Sequence, residues 1–161
     1  MLVATLLLVT LFGAGVVMLS PDRYAGKLAA GISAIPVVLT TYMYYVFLTD
    51  FEGAGNALLS PDGVAFGEQV PWLELGPYVV QYYVGLDGVS MPLLALTTIL
   101  TTLAIISAWT PIDERRYPFY GLLLLMEVSL IGVFTALDFF LWFVFRQGVL
   151  LRICFLFGVA W

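Results

Sequence analysis

A chain of 161 residues that is 62% hydrophobic and only 11% charged has too little polar surface to clothe a water-soluble domain, in which roughly a quarter of residues are charged. Six Lys and Arg against eleven Asp and Glu leave no basic patch for nucleic acid. The absence of histidine and the single cysteine, Cys154, remove a disulfide framework and argue against zinc, haem or iron–sulfur ligation. The composition, with a mean hydropathy of +1.04, is that of an all-α, polytopic transmembrane helix bundle, one membrane domain over residues 1–161 lying in a lipid bilayer.

Crossing about 30 Å of hydrocarbon takes roughly 20 apolar residues in a helix, and five stretches qualify. The first is residues 1–19, MLVATLLLVTLFGAGVVML. A secretory signal would need a positive start and a small-residue cleavage site. No Lys or Arg precedes Arg23, and Ser20-Pro21-Asp22 reads as a turn, so the stretch is expected to stay as a first spanning helix. The second covers residues 28–48, with Pro36 expected to kink it and neighbouring groups to satisfy the freed carbonyls.

Residues 49–88 form a long outer loop that is strand-like in parts. Pro71-Trp72-Leu73 and the run Tyr78–Val84 are rich in aromatic and β-branched residues, with Gly76-Pro77 between them as a turn. Trp72, Tyr82 and Tyr83 would suit an aromatic belt at headgroup level. Asp87 reads as a cap or turn residue ahead of the third span, residues 89–109. There Thr97, Thr98, Thr101 and Thr102 can return their hydroxyls to the backbone of a lipid-facing helix. The fourth span covers residues 119–137 and the fifth 139–161.

Charge orders these segments. Residues 20–27 carry Arg23 and Lys27, and residues 110–118 carry Arg115 and Arg116. Residues 49–88 carry Asp50, Glu52, Asp62, Glu68, Glu74 and Asp87 and no Lys or Arg. The positive-inside rule puts the two short basic connections in the cytoplasm and the long acidic one outside, with the N-terminus outside.

Three charges fall inside spans: Glu127 in the fourth, Arg146 and Arg152 in the fifth. Each costs on the order of 2.5–3.5 kcal/mol at a helix centre, and such residues usually mark an ion or proton path. The last two spans form a hairpin turning near Asp138. Counting residues from that turn at about 1.5 Å each puts Arg146 and Arg152 roughly 4.5 Å either side of the depth of Glu127. Either Arg is therefore expected to pair with Glu127, Arg146 before Arg152, because Arg152 can reach the inner surface.

Two runs resemble a known family. Gly85-Leu86-Asp87-Gly88-Val89-Ser90 is similar to the entry to the third helix of antiporter-like subunits of NADH-quinone oxidoreductase (complex I), and Gly132-Val133-Phe134-Thr135-Ala136-Leu137-Asp138 to the run before their fifth helix. The M-type chain is the nearest kind, and the likeness covers the N-terminal part of such a subunit. It implies a proton-translocating membrane subunit of a respiratory quinone oxidoreductase. Its partners would be the other membrane subunits and a chain supplying the remaining helices, in the plasma membrane. NADH, or another donor, and quinone would bind elsewhere in the complex, leaving this chain without a cofactor or catalytic centre of its own.

The resemblance makes Glu127, Gln147 and Asp138 the proton-path candidates. The family's fifth helix carries a key glutamate in W-E-x-x-L-x-P, where this chain reads Arg146-Gln147-Gly148-Val149-Leu150-Leu151-Arg152. Gln147 can hydrogen-bond but cannot ionise, so the chain is expected not to transport protons by itself. Departures at three positions, and an end at Trp161 without a polar flank, fit a truncated, split or decaying member or a sequence carrying errors. The alternatives are a small membrane scaffold or assembly protein, and a subunit of a related multi-subunit cation/proton antiporter.

Overall fold

The computed structural model describes residues 2–52, 64–75, 78–108 and 116–160. The Gly76-Pro77 turn and the connection bearing Arg115 lie outside them, as does the side chain of Trp72. Five helices are long and apolar enough to cross a membrane: α1 (Leu2–Leu19), α2 (Asp22–Glu52), α3 (Ser90–Ser107), α4 (Arg116–Thr135) and α5 (Phe139–Ala160). Between α2 and α3 lie β1 (Ala65–Leu75) and β2 (Tyr78–Leu86), paired antiparallel. The expected fold class, a helix bundle with a strand-like outer segment, is what forms.

Two boundaries differ from the sequence expectation. Residues 20–27 are not a loop, because α2 begins at Asp22 and takes in Arg23 and Lys27; it also runs on to Glu52. Apolar counting sees only the stretch that suits hydrocarbon, whereas backbone hydrogen bonding continues through polar turns beyond it. Pro21 stands just ahead of the helix, where its missing N–H and fixed φ cost nothing. The strands are also longer than the short ones expected, at 11 and 9 residues. They are irregular: the register shifts between Ala65 and Glu68, where Phe66 adopts a left-handed φ of 56°. The Gln69 and Gln81 side chains hydrogen-bond across the pair.

The hairpin is seated on the bundle. The Leu137 N–H donates to the Tyr83 carbonyl (2.9 Å), and Val84 bridges to Ala136. Tyr82, half-buried, packs against the apolar cluster beneath. Asp87 ends the hairpin by accepting the Val89 and Ser90 N–H groups at 3.1 and 2.6 Å. The Ser90 hydrogen bonds hold its carboxyl below the usual carboxylate range. At the opposite end the Asp22 carboxylate accepts the Tyr117 N–H (3.0 Å), tying the starts of α2 and α4 together. The α1–α2 turn and the start of α4 therefore share one end of the bundle, and the base of the hairpin and the α4–α5 turn share the other.

Two buried apolar clusters fill the interior. The one at the hairpin end gathers Val3, Leu6 and Leu7 of α1, Met43 of α2, Met91 and Leu94 of α3, and Val128 and Ile131 of α4. The one at the opposite end gathers Ala14 and Val17, Ala25 and Ala29, Ile105, and Tyr120 and Leu124. The α1–α4 helices supply most of this core, and Val84 and Leu86 of β2 and Leu141 of α5 join the cluster at the hairpin end. The α5 helix packs along α4, and most of its surface is open.

Candidate functional site

A fully buried polar side chain lies between the two apolar clusters on each of the first four helices. These are Thr10 on α1, Ser33 on α2, Thr98 on α3 and Glu127 on α4, all 0% exposed. In sequence each falls between residues of one cluster and residues of the other. Cross-helix contacts place them at related depths. A Cβ on Gly13 would meet Ile32, one on Gly26 would meet the Tyr120 ring at 3.3 Å, and one on Gly121 would meet Met18. Stepping from these contacts at about 1.5 Å per residue brings Glu127 level with Ser33 and within about a turn of Thr10.

Hydroxyl bonds stitch the layer. Thr10 donates to the Leu6 carbonyl (2.6 Å) and Ser33 to that of Ala30 (3.1 Å). The Thr40 and Thr98 hydroxyls lie 3.0 Å apart across α2 and α3, and Thr102 donates to the Ser33 carbonyl (3.1 Å). Thr97 and Thr101 return to their own helix, bonding the Leu93 and Thr97 carbonyls. All four threonines thus bond the backbone of α3 as expected, but Thr98 and Thr102 also bridge to α2, so that side of the helix faces protein and not lipid. Thr40 bonds the carbonyl of Pro36 (2.8 Å), and α2 runs unbroken through that proline.

Glu127 is the exception in this layer. Both carboxyl oxygens are buried and, among the described residues, neither has a hydrogen-bond partner. The expected ion pairs are absent: Glu127 pairs with neither Arg146 nor Arg152. Arg152 donates from Nη1 to the Leu125 carbonyl (2.5 Å), and the Arg146 guanidinium lies over the Trp142 ring, 5.0 Å from its centre.

The reason is angular. Counting residues from the turn measures depth along the hairpin but not direction around the helix. The side of α4 that meets α5 is marked by Leu125, by Ser129, whose hydroxyl would lie 3.0 Å from a Cβ on Gly148, and by Gly132, which abuts the Phe145 ring. At about 100° per residue, Glu127 stands roughly 160° round from both Leu125 and Ser129. It faces into the α1–α3 side of the bundle while both arginines belong to the α5 side.

The other candidates separate likewise. Asp138 caps α5, accepting the Phe140 and Leu141 N–H groups at 2.8 and 3.3 Å. Gln147 is exposed on α5, away from Glu127. The residues that sequence reasoning passed over are Thr10, Ser33 and Thr40.

No family model matches the chain. Among curated proteins it is similar to F(420)H(2) dehydrogenase subunit M of Methanosarcina mazei, 34% identical over 131 residues, which are 81% of this chain and 25% of that protein. It is 38% identical over 140 residues to NAD(P)H-quinone oxidoreductase chain 4 of a Synechococcus strain, covering 85% of this chain and 24% of the relative. The chain 4 protein of a Prochlorococcus marinus strain is 37% identical over 126 residues, 76% of this chain and 21% of the relative. The chain thus spans about a quarter of the length of the curated relatives it matches. Over those residues, this multi-pass membrane chain belongs to the family of subunit M and chain 4 proteins of these dehydrogenases and quinone oxidoreductases.

Proposed function

We propose that this bundle forms part of a proton-translocating membrane subunit of a quinone oxidoreductase, and that Glu127 is a proton-holding group within it. The identity of 34–38% to subunit M and chain 4 proteins carries the first part of this reading. The second is supported by a carboxyl held in a four-helix polar layer where, among the described residues, it has no hydrogen-bond donor and pairs with neither arginine of α5. Leaving a charge uncompensated there is costly, so the group has use for a proton. The partners are the other membrane subunits and the chain supplying the remaining helices. NADH, or another donor, and quinone bind outside this chain.

Transport needs more than these residues. Gln147 cannot ionise, and the resemblance puts the family's transport lysines on later helices. In phosphatidylcholine proteoliposomes with an imposed pH gradient, the 161-residue chain should leak protons no faster than lipid alone. A rapid flux that Glu127→Gln abolishes would overturn the expectation of inactivity.

The membrane is the plasma membrane, with the N-terminus and the hairpin outside. Arg23 and Lys27 lie in the first turns of α2, Arg115 and Arg116 stand in sequence between the third and fourth spans, and residues 49–88 carry no Lys or Arg. With Cys154→Ser as background, a cysteine introduced by Asp62→Cys should react with an impermeant maleimide on intact cells. Labelling only after the cells are opened would reverse the orientation.

A further inference from the structure

One face of α5 carries a pattern that lipid alone does not account for. Phe139, Phe143, Arg146, Leu150, Ile153 and Phe157 follow one another at spacings of 4, 3, 4, 3 and 4 residues. That is the repeat by which one helix presents a continuous seam to another. Five of the six are exposed, Phe139 at 78% and Phe157 at 66%, and Ile153 is partly so. Arg146 interrupts the apolar seam about 10 Å along the helix from Phe139. Its guanidinium has five N–H donors. Among the described residues it rests on the Trp142 ring and makes no hydrogen bond.

Acyl chains can cover phenylalanine and leucine, but they offer no acceptor to a guanidinium at that depth, where an uncompensated charge is costly. The contrast with Arg152 is direct, because that side chain is half-buried and has the Leu125 carbonyl. We propose that the outer seam of α5 receives a membrane-spanning helix carrying an Asp or Glu, whose carboxylate meets Arg146. A seam of aromatic and branched side chains supplies packing, and the single cation sets register and selects the partner, as one polar residue does in a helical zipper. This holds whether or not Glu127 carries protons.

The probe is a poly-leucine membrane helix bearing one central Glu, compared with the same helix bearing Gln. The full chain, carrying Cys154→Ser and Asp62→Cys, is labelled at position 62 and reconstituted with either helix in phosphatidylcholine vesicles. Association is then read by energy transfer. The Glu helix should associate about tenfold more tightly than the Gln helix. The preference should vanish in Arg146→Gln, return in Arg146→Lys and persist in Arg152→Gln. Equal association of the two helices with the unaltered Arg146 chain overturns the proposal without relying on any Arg146 variant. So does a preference that survives Arg146→Gln. Loss of the preference on adding phosphatidylglycerol would assign Arg146 to lipid phosphate instead, and would also overturn it.

Discussion

Replacing Gly132 with leucine should release α5 from the bundle, with a loss of at least about 1–3 kcal/mol, the usual range for overpacking a tight contact. A side chain at this position has no room, because even a Cβ would be driven into the Phe145 ring. The other attachments of α5 include Leu141, buried in the hairpin-end cluster, the Arg152 bond to the Leu125 carbonyl, the close approach of Gly148 to Ser129, and the cap at Asp138. Thermal unfolding in mild detergent should show the loss for Gly132→Leu and a smaller one for Gly132→Ala. Trimming the opposing ring with Phe145→Ala should recover much of the Gly132→Ala deficit, since the two changes share one contact. If the losses from Gly132→Ala and Phe145→Ala simply add, the two helices do not meet there.

Glu127→Met should stabilise the detergent-solubilised chain, by about 1–3 kcal/mol, because it removes two buried oxygens that have no hydrogen-bond partner among the described residues. Methionine fills a comparable volume with an unbranched, apolar side chain that adapts to the site. Since neither arginine touches Glu127, the effect of Glu127→Gln should add to that of Arg146→Gln, and to that of Arg152→Gln, within about 0.5 kcal/mol. Thermal unfolding of the single and double variants checks both statements. A coupling well above that margin would restore an ion pair between α4 and α5. A marked loss with Glu127→Met would show that water or another group holds the carboxyl in place. A gain in stability together with loss of proton exchange in the assembled complex is the expected signature of a polar group kept for function.

Much of the architecture can be read from residue order alone. Five apolar stretches near the length of a bilayer crossing became five helices, and the β-rich composition of Tyr78–Val84 became a strand. Asp87 and Asp138 read as turn residues, and both hold backbone N–H groups at helix starts. These features depend on local chemistry: hydrogen-bond satisfaction in an apolar medium, side-chain branching and capping. The kinship could also be read early, because Gly85–Ser90 and Gly132–Asp138 are contiguous runs.

The tertiary structure decided which polar groups meet. Thr10, Ser33 and Thr98 are far apart in sequence and no local rule ties them to Glu127, yet packing puts all four between the same two apolar clusters. Depth in a helical hairpin follows from counting: with Gly148 beside Ser129 and Gly132 beside Phe145, Arg152 and Arg146 stand about 3 and 6 Å from the level of Glu127. Whether two side chains share an interface depends on rotation about each helix axis. That rotation is set by where small residues allow close approach: Gly132 against Phe145, Gly26 against Tyr120 and Gly121 against Met18. Those contacts turn Leu125 and Ser129 toward α5 and Glu127 away from it. A one-dimensional pattern specifies composition and depth, whereas azimuth is a property of the packed bundle.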